Sequence, residues 1–147
     1  MNSPEIKNRA AYFEYFIDDK YTAGISLTGT EVKSLRAGKA SFNDSYCIID
    51  HGEVFIKSLH ISEYLHGTVN NHNPIRDRKL LLNRREIKKL EGKIKEKGFT
   101  IIPLRLFFNE NNLIKVEIGL GKGKKLHDKR ESIKQRDTDR ELKRYVK

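Results

Sequence analysis

Large apolar residues recur at strand and helix spacings as far as Leu120, and then the pattern stops. Beyond Arg130 only Ile133, Leu142, Tyr145 and Val146 are large and apolar, scattered among charges. Such a segment cannot bury enough apolar surface to offset its ordering entropy. The stretch Gly119-Leu-Gly-Lys-Gly-Lys-Lys-Leu-His-Asp-Lys-Arg130 is therefore a handover. A folded body over residues 1–120 precedes it, and a basic, intrinsically disordered arm over residues 121–147 follows. With 147 residues the body is one domain by length.

Charge narrows the partner. Lys and Arg number 30 against 20 Asp and Glu, a formal net charge of +10. The arm holds 11 basic and 5 acidic residues, the body 19 and 15. This balance favours RNA, DNA or an anionic membrane without choosing among them. No apolar run approaches the ~20 residues that span a bilayer, and the opening Met-Asn-Ser-Pro-Glu-Ile-Lys has no signal-peptide core. The lone Cys47 sits in an apolar strand pattern and is expected to be a buried thiol in a reducing compartment. A cytoplasmic location is expected.

In chain order, Tyr12–Ile17 and Tyr21–Leu27 read as two strands joined by a turn at Asp18-Asp19-Lys20. Thr28-Gly-Thr-Glu31 has capping-box spacing and opens a helix that Gly38 ends, with Val32 and Leu35 facing inward. Residues 45–50 and 53–58 form a hairpin about His51-Gly52. Residues 59–78, with His60, His66, His72 and Asn70, read as a long loop or loosely held strand. Asn83-Arg-Arg-Glu86 repeats the capping box, and Ile87, Leu90 and Ile94 give the following helix an apolar face. Its other face is strongly basic. Phe99–Phe108 and Leu113–Leu120 make a second hairpin about Asn109–Asn112. Clustered strands with few helices predict a mainly β protein with short helices (α+β), built as a small antiparallel barrel.

No catalytic constellation stands out. The carboxylates Asp44, Asp50, Glu53 and Asp77 have no paired spacing, and three histidines with one cysteine fit no metal motif. No metal, cofactor or enzymatic activity is expected. Gly119-x-Gly-x-Gly123 lacks Walker spacing and reads as a flexible strand-to-arm junction. The basic residues divide into two surfaces. On the body, Asn8 and Arg9 precede the first strand, Lys33, Arg36 and Lys39 surround the first helix, and Arg76, Arg78 and Lys79 precede Leu80. These cations would track RNA phosphates beside strands, while Tyr12, Phe13 and Tyr15 are assigned to the core rather than to base stacking. On the arm, Asp137/Arg140 and Asp139/Lys143 pairs add only a few tenths of a kcal/mol each, so helix there is expected only along a polyanion. Circular dichroism of an isolated 121–147 peptide should show little helix in water; a stable helix there would contradict this.

Several stretches resemble one family together. Gly29-Thr-Glu-Val-Lys-Ser-Leu-Arg-Ala-Gly-Lys39, Asp44-Ser-Tyr46, Arg78-Lys-Leu-Leu-Leu-Asn83 and Ile118–Arg130 stand in the order and spacing of small protein B (SmpB), the bacterial partner of transfer-messenger RNA. The resemblance implies an OB-type barrel with flanking helices that binds the tRNA-like domain of that RNA. It implies delivery to stalled ribosomes for trans-translation, with elongation factor Tu as an indirect partner and the protein as a monomer. It also places the arm in the empty mRNA channel, where Lys122, Lys124, Lys125, His127, Asp128, Lys129 and Arg130 would meet the decoding centre. A generic ribosomal or single-strand RNA-binding OB protein is the rival that composition alone allows. Three departures stand out: Asn8-Arg9-Ala10-Ala11 has one cation fewer than the family pattern, Phe13 replaces a histidine of some members, and Gly121 replaces a frequent alanine, which is expected to loosen the junction.

Overall fold

The computed structural model describes residues 4–64, 71–96 and 98–123. Its elements are β1 (Ile6–Lys7), α1 (Arg9–Glu14), β2 (Tyr15–Ile25), α2 (Gly29–Arg36), β3 (Ala40–Ser41), β4 (Tyr46–Asp50), β5 (Glu53–Lys57), β6 (His60–Ile61), β7 (Arg78–Leu81), α3 (Arg84–Lys95), β8 (Phe99–Phe108) and β9 (Ile114–Gly123). Seven strands pair antiparallel in the order β1-β8-β9-β2-β7-β5-β4, and β3 pairs with β6. This is the expected mainly antiparallel architecture with short helices.

Local chemistry explains the elements that form as expected. Thr28 Oγ1 accepts from the Glu31 amide at 3.4 Å, and Glu31 Oε1 accepts from the Thr28 amide at 2.9 Å. Asn83 and Glu86 close the same reciprocal cap on α3, at 2.8 and 3.1 Å. Gly38 and Gly98 follow α2 and α3 with φ of 73° each, the left-handed conformation that ends a helix. His51 (φ 53°) and Gly52 (φ 77°) both take positive φ between β4 and β5, as a two-residue hairpin turn demands.

The start of the chain differs from its sequence reading. Tyr12 to Glu14 complete a short helix, and β2 is one continuous strand rather than a hairpin. Asp18 is a bulge: Ile17 pairs with Gly121 and Asp19 with Leu120, so the extra residue is absorbed without a turn. The polar triplet Asp18-Asp19-Lys20 is exposed, which is why it can sit in a strand.

The sheet rolls around one core to which Ala23, Cys47, Val54, Ile56, Leu80, Ile101, Leu106, Val116 and Ile118 contribute. Burial pushes the Cys47 thiol well up, leaving it protonated. The roll is not a closed barrel, since β1 and β4 are edges not hydrogen-bonded to each other. A cleft of about 370 Å³ lies between α1, the segment before β4 and β8. Pro103, which lines it, has no amide proton to offer across the seam.

The glycine run is the largest departure. β9 continues to Gly123, three residues past the boundary expected at 120, and is paired on both sides. Gly121 faces Ile17 on β2 and Thr100 on β8, and Lys122 faces Phe16 and Phe99. A β-carbon on Gly121 would lie 2.5 Å from the Phe16 carbonyl oxygen and 3.2 Å from Ile102 Cδ1. Gly121 thus tightens the β2–β9 contact instead of loosening it. Gly121→Ala is expected to cost about 1–3 kcal/mol through overpacking, read as a lower denaturant midpoint; an unchanged midpoint would show that β2 yields freely. The residues from Lys124 onward, including Lys124, Lys125, His127, Asp128, Lys129 and Arg130, lie outside the described residues, as do His66 and Asn70.

Candidate nucleic-acid interface

The cations expected on one body surface separate into a buried group and an exposed group. At the centre of the first is Glu31, wholly buried on α2. Arg78 Nε donates to Glu31 Oε2 at 2.7 Å, and Arg76 Nη2 donates to Glu31 Oε1 at 2.8 Å. Arg78 also donates to the carbonyls of Leu59 (2.6 Å) and Pro74 (3.1 Å). Burial alone would raise the Glu31 pKa, but hydrogen bonds from Arg76, the Thr28 amide and Arg78 outweigh it and hold the carboxyl below its ordinary value. Burial pulls the Arg78 pKa down, and Glu31 opposes that pull.

Arg78 is therefore not presented to a ligand, contrary to its sequence assignment: its side chain is 0% exposed. It stitches β7 to α2, to Leu59 and to the loop before β7. Arg76 is spent mainly on Glu31 and the Ser26 carbonyl. Lys79 pairs with Glu53 at 2.8 Å on the neighbouring strand β5. Beside this cluster His72 is buried, its Nε2 donating to the Ile61 carbonyl (2.8 Å). With that proton placed, Nδ1 accepts from the Thr30 hydroxyl (2.8 Å) in the neutral ring. His72 thus clamps the loop to α2 and β6, while His60 is exposed. Among the described residues no group of three or more His, Cys, Asp or Glu side chains is placed to hold a metal ion.

The exposed group keeps its charge available. Arg9 opens α1, while Lys33, Arg36 and Lys39 lie on and just after α2, all exposed. Lys33 also caps the Tyr64 ring at 5.4 Å. A β-carbon on Gly38 would sit 3.9 Å from Pro4, so the segment entering β1 and α1 lies against the end of α2. Asn8 plays a different part from the cations. Its amide donates to the Leu104 carbonyl at 2.8 Å and its Nδ2 to the Pro103 carbonyl at 2.7 Å, pinning α1 to β8.

Sequence reasoning missed the aromatic component. Tyr12 is 47% exposed, Phe13 81% and Phe16 57%, so Tyr12 and Phe13 are not core residues. The six-residue helix α1 buries only Ala11, against Ile102 and Leu104, and turns its rings outward. Tyr15 does pack partly into that cluster, as assigned. A groove of about 560 Å³ runs beside Tyr12 and Phe13, with Lys7 and Arg9 on its walls next to Arg105, whose charge is taken up by Glu5 and Glu117. Lys20 stands over the Tyr12 ring at 5.5 Å. Exposed rings next to unpaired cations are the combination that stacks on bases while holding phosphates. Lys122, assigned to the arm, belongs to this body: it lies in β9 over the Phe99 ring at 4.8 Å.

Comparison with known proteins places this arrangement in a family. Residues 5–147 match the family model described as SmpB protein. An SsrA-binding protein of Parabacteroides distasonis is 53% identical, over 99% of this chain and 95% of its own length. One from Phocaeicola vulgatus is 55% identical over 97% and 95%. A solved chain described under "tmRNA-SmpB: a journey to the center of the bacterial ribosome" superposes with a TM-score of 0.73 at 44% identity, covering 95% of this chain and 98% of that one. Fold, motifs and near-complete coverage agree, and the chain belongs to the SmpB family.

Proposed function

We propose that the protein binds the tRNA-like domain of transfer-messenger RNA and delivers that RNA to stalled ribosomes for trans-translation. The observation that carries the reading is family membership over residues 5–147, in a chain whose rolled sheet exposes aromatic rings beside free cations. Arg9, Lys33, Arg36 and Lys39 hold phosphates of the tRNA-like domain, and Tyr12 or Phe13 stacks on a base. Asn8 acts by fixing α1, and Arg76, Arg78 and Lys79 act by fixing the frame. The arm beyond Gly123 enters the empty mRNA channel and becomes helical there, with Lys124, Lys125, His127, Asp128, Lys129 and Arg130 meeting the decoding centre. The protein acts as a non-enzymatic monomer in the cytoplasm, and elongation factor Tu joins through the RNA. Among the described residues no helix is long and apolar enough to cross a membrane.

A competition titration tests this. A labelled tRNA-like fragment should be displaced by its unlabelled copy at far lower concentration than by an unstructured RNA of equal length. Equal displacement by both would favour a generic single-strand binder.

A further inference from the structure

Helix α3 breaks three local rules on one face. Arg84 and Arg85 occupy its first turn, where the positive end of the helix dipole disfavours cations. Arg84/Lys88 and Arg85/Lys89 are like-charge pairs at i, i+4, which destabilise a helix. Gly92 stands mid-helix, where glycine is costly, although a β-carbon there would meet nothing within 4 Å. At 100° per residue Arg85, Lys88, Lys89 and Gly92 share one side, opposite the buried Leu90 and the half-buried Ile87 and Ile94.

Several cations of the sheet are treated differently. Lys57, Lys79 and Arg105, with Arg76 beside β7 and the buried Arg78, are paired to carboxylates, whereas Lys7, Lys20, Lys115 and Lys122 pair with none among the described residues. On α3, Arg84, Arg85, Lys88, Lys89 and Lys95 are exposed, and no carboxylate of the described residues pairs with them. Choices that each weaken the helix, gathered on one exposed face, point to a ligand that repays them. A mixed-charge face would have given solubility at no such cost.

We propose that the exposed face of α3 is a second RNA-backbone surface, for an RNA distinct from the one held at α1. Helices α1 and α3 lie on opposite sides of β8. Ala11 of α1 packs with Ile102, whereas Leu90 of α3 packs in the cluster holding Ile101, and successive strand residues point to opposite faces. The capped helix is a rod about 18 Å long, and its i, i+4 cations repeat about every 6 Å along it. Gly92 leaves room for a phosphate backbone to approach the helix itself. The inference rests on the proposed function only in taking the polyanion to be RNA.

Two variants of the full chain separate the contributions: the triple Arg85→Gln/Lys88→Gln/Lys89→Gln, and the charge-conserving Gly92→Leu. Each is measured for thermal midpoint, for affinity to the tRNA-like fragment and for affinity to isolated small ribosomal subunits across a salt series. The thermal midpoint should hold or rise in both, and fragment affinity should stay within about two-fold of the parent. Subunit affinity of the triple variant should fall about ten-fold or more, its slope against log salt flattening by roughly 2 as phosphate contacts are lost. Gly92→Leu should weaken subunit binding without changing that slope. Unchanged subunit binding in both variants would overturn the proposal, as would a parallel fall in fragment affinity, which would make α3 part of the first surface. Failure of the proposed function looks different, because the parent itself would then not prefer the tRNA-like fragment.

Discussion

Glu31→Gln is expected to lower folding stability by about 3–5 kcal/mol, the cost of leaving a buried charge without its counter-ion. Arg78 would remain wholly buried beside a neutral amide, and Arg76 would lose its carboxylate. Urea denaturation measures the loss directly. Arg78→Met should cost less, since Glu31 keeps Arg76, and the double variant should cost less than the two single changes added together because the residues share one network. Additive costs would show that the cluster does not act as a unit. The pH dependence follows from the depressed Glu31 pKa. The unfolded chain takes up a proton near the ordinary value of 4.5 and the folded chain only below it. The stabilisation is thus complete above about 4.5 and is lost as pH falls through the folded-state value. Glu31→Gln should lack this acid-side loss; an equally steep loss in the variant would assign it to other carboxylates.

Removal of the arm should divide the activity in two. A chain ending at Gly123 is expected to keep its affinity for the tRNA-like fragment within a few-fold while losing ribosome rescue altogether. The endpoint matters. A chain ending at Leu120 would also delete Gly121 to Gly123, which pair with Tyr15, Phe16 and Ile17 on one side and with Phe99 and Thr100 on the other. That chain should melt at a lower temperature and bind more weakly for reasons unrelated to the arm. A Gly123-ended chain that lost RNA binding but still supported rescue would invert the proposed division of labour.

What was legible in the sequence was local. Both capping boxes involve residues three apart and depend on little else, so Thr28 to Glu31 and Asn83 to Glu86 were readable directly. The His51-Gly52 turn and the paired apolar runs of β8 and β9 were equally self-contained. The misreadings came from contacts made at a distance. Arg78 looks like any surface cation until Glu31, 47 residues earlier, arrives to bury it. Asp18-Asp19-Lys20 has turn composition, yet pairing with the distant β9 absorbs it as a bulge. Gly119 to Gly123 look flexible because glycine usually is; here neighbouring strands close over them. Tyr12 and Phe13 look like core because aromatics usually are, and only the short α1, anchored by Ala11, turns them outward.

A chain of this kind is expected to carry one particular folded RNA, which is read by capturing the full-length protein from cells and sequencing the RNA that accompanies it. A single dominant RNA with a tRNA-like end is the predicted result; a broad population of messenger RNA fragments would contradict it.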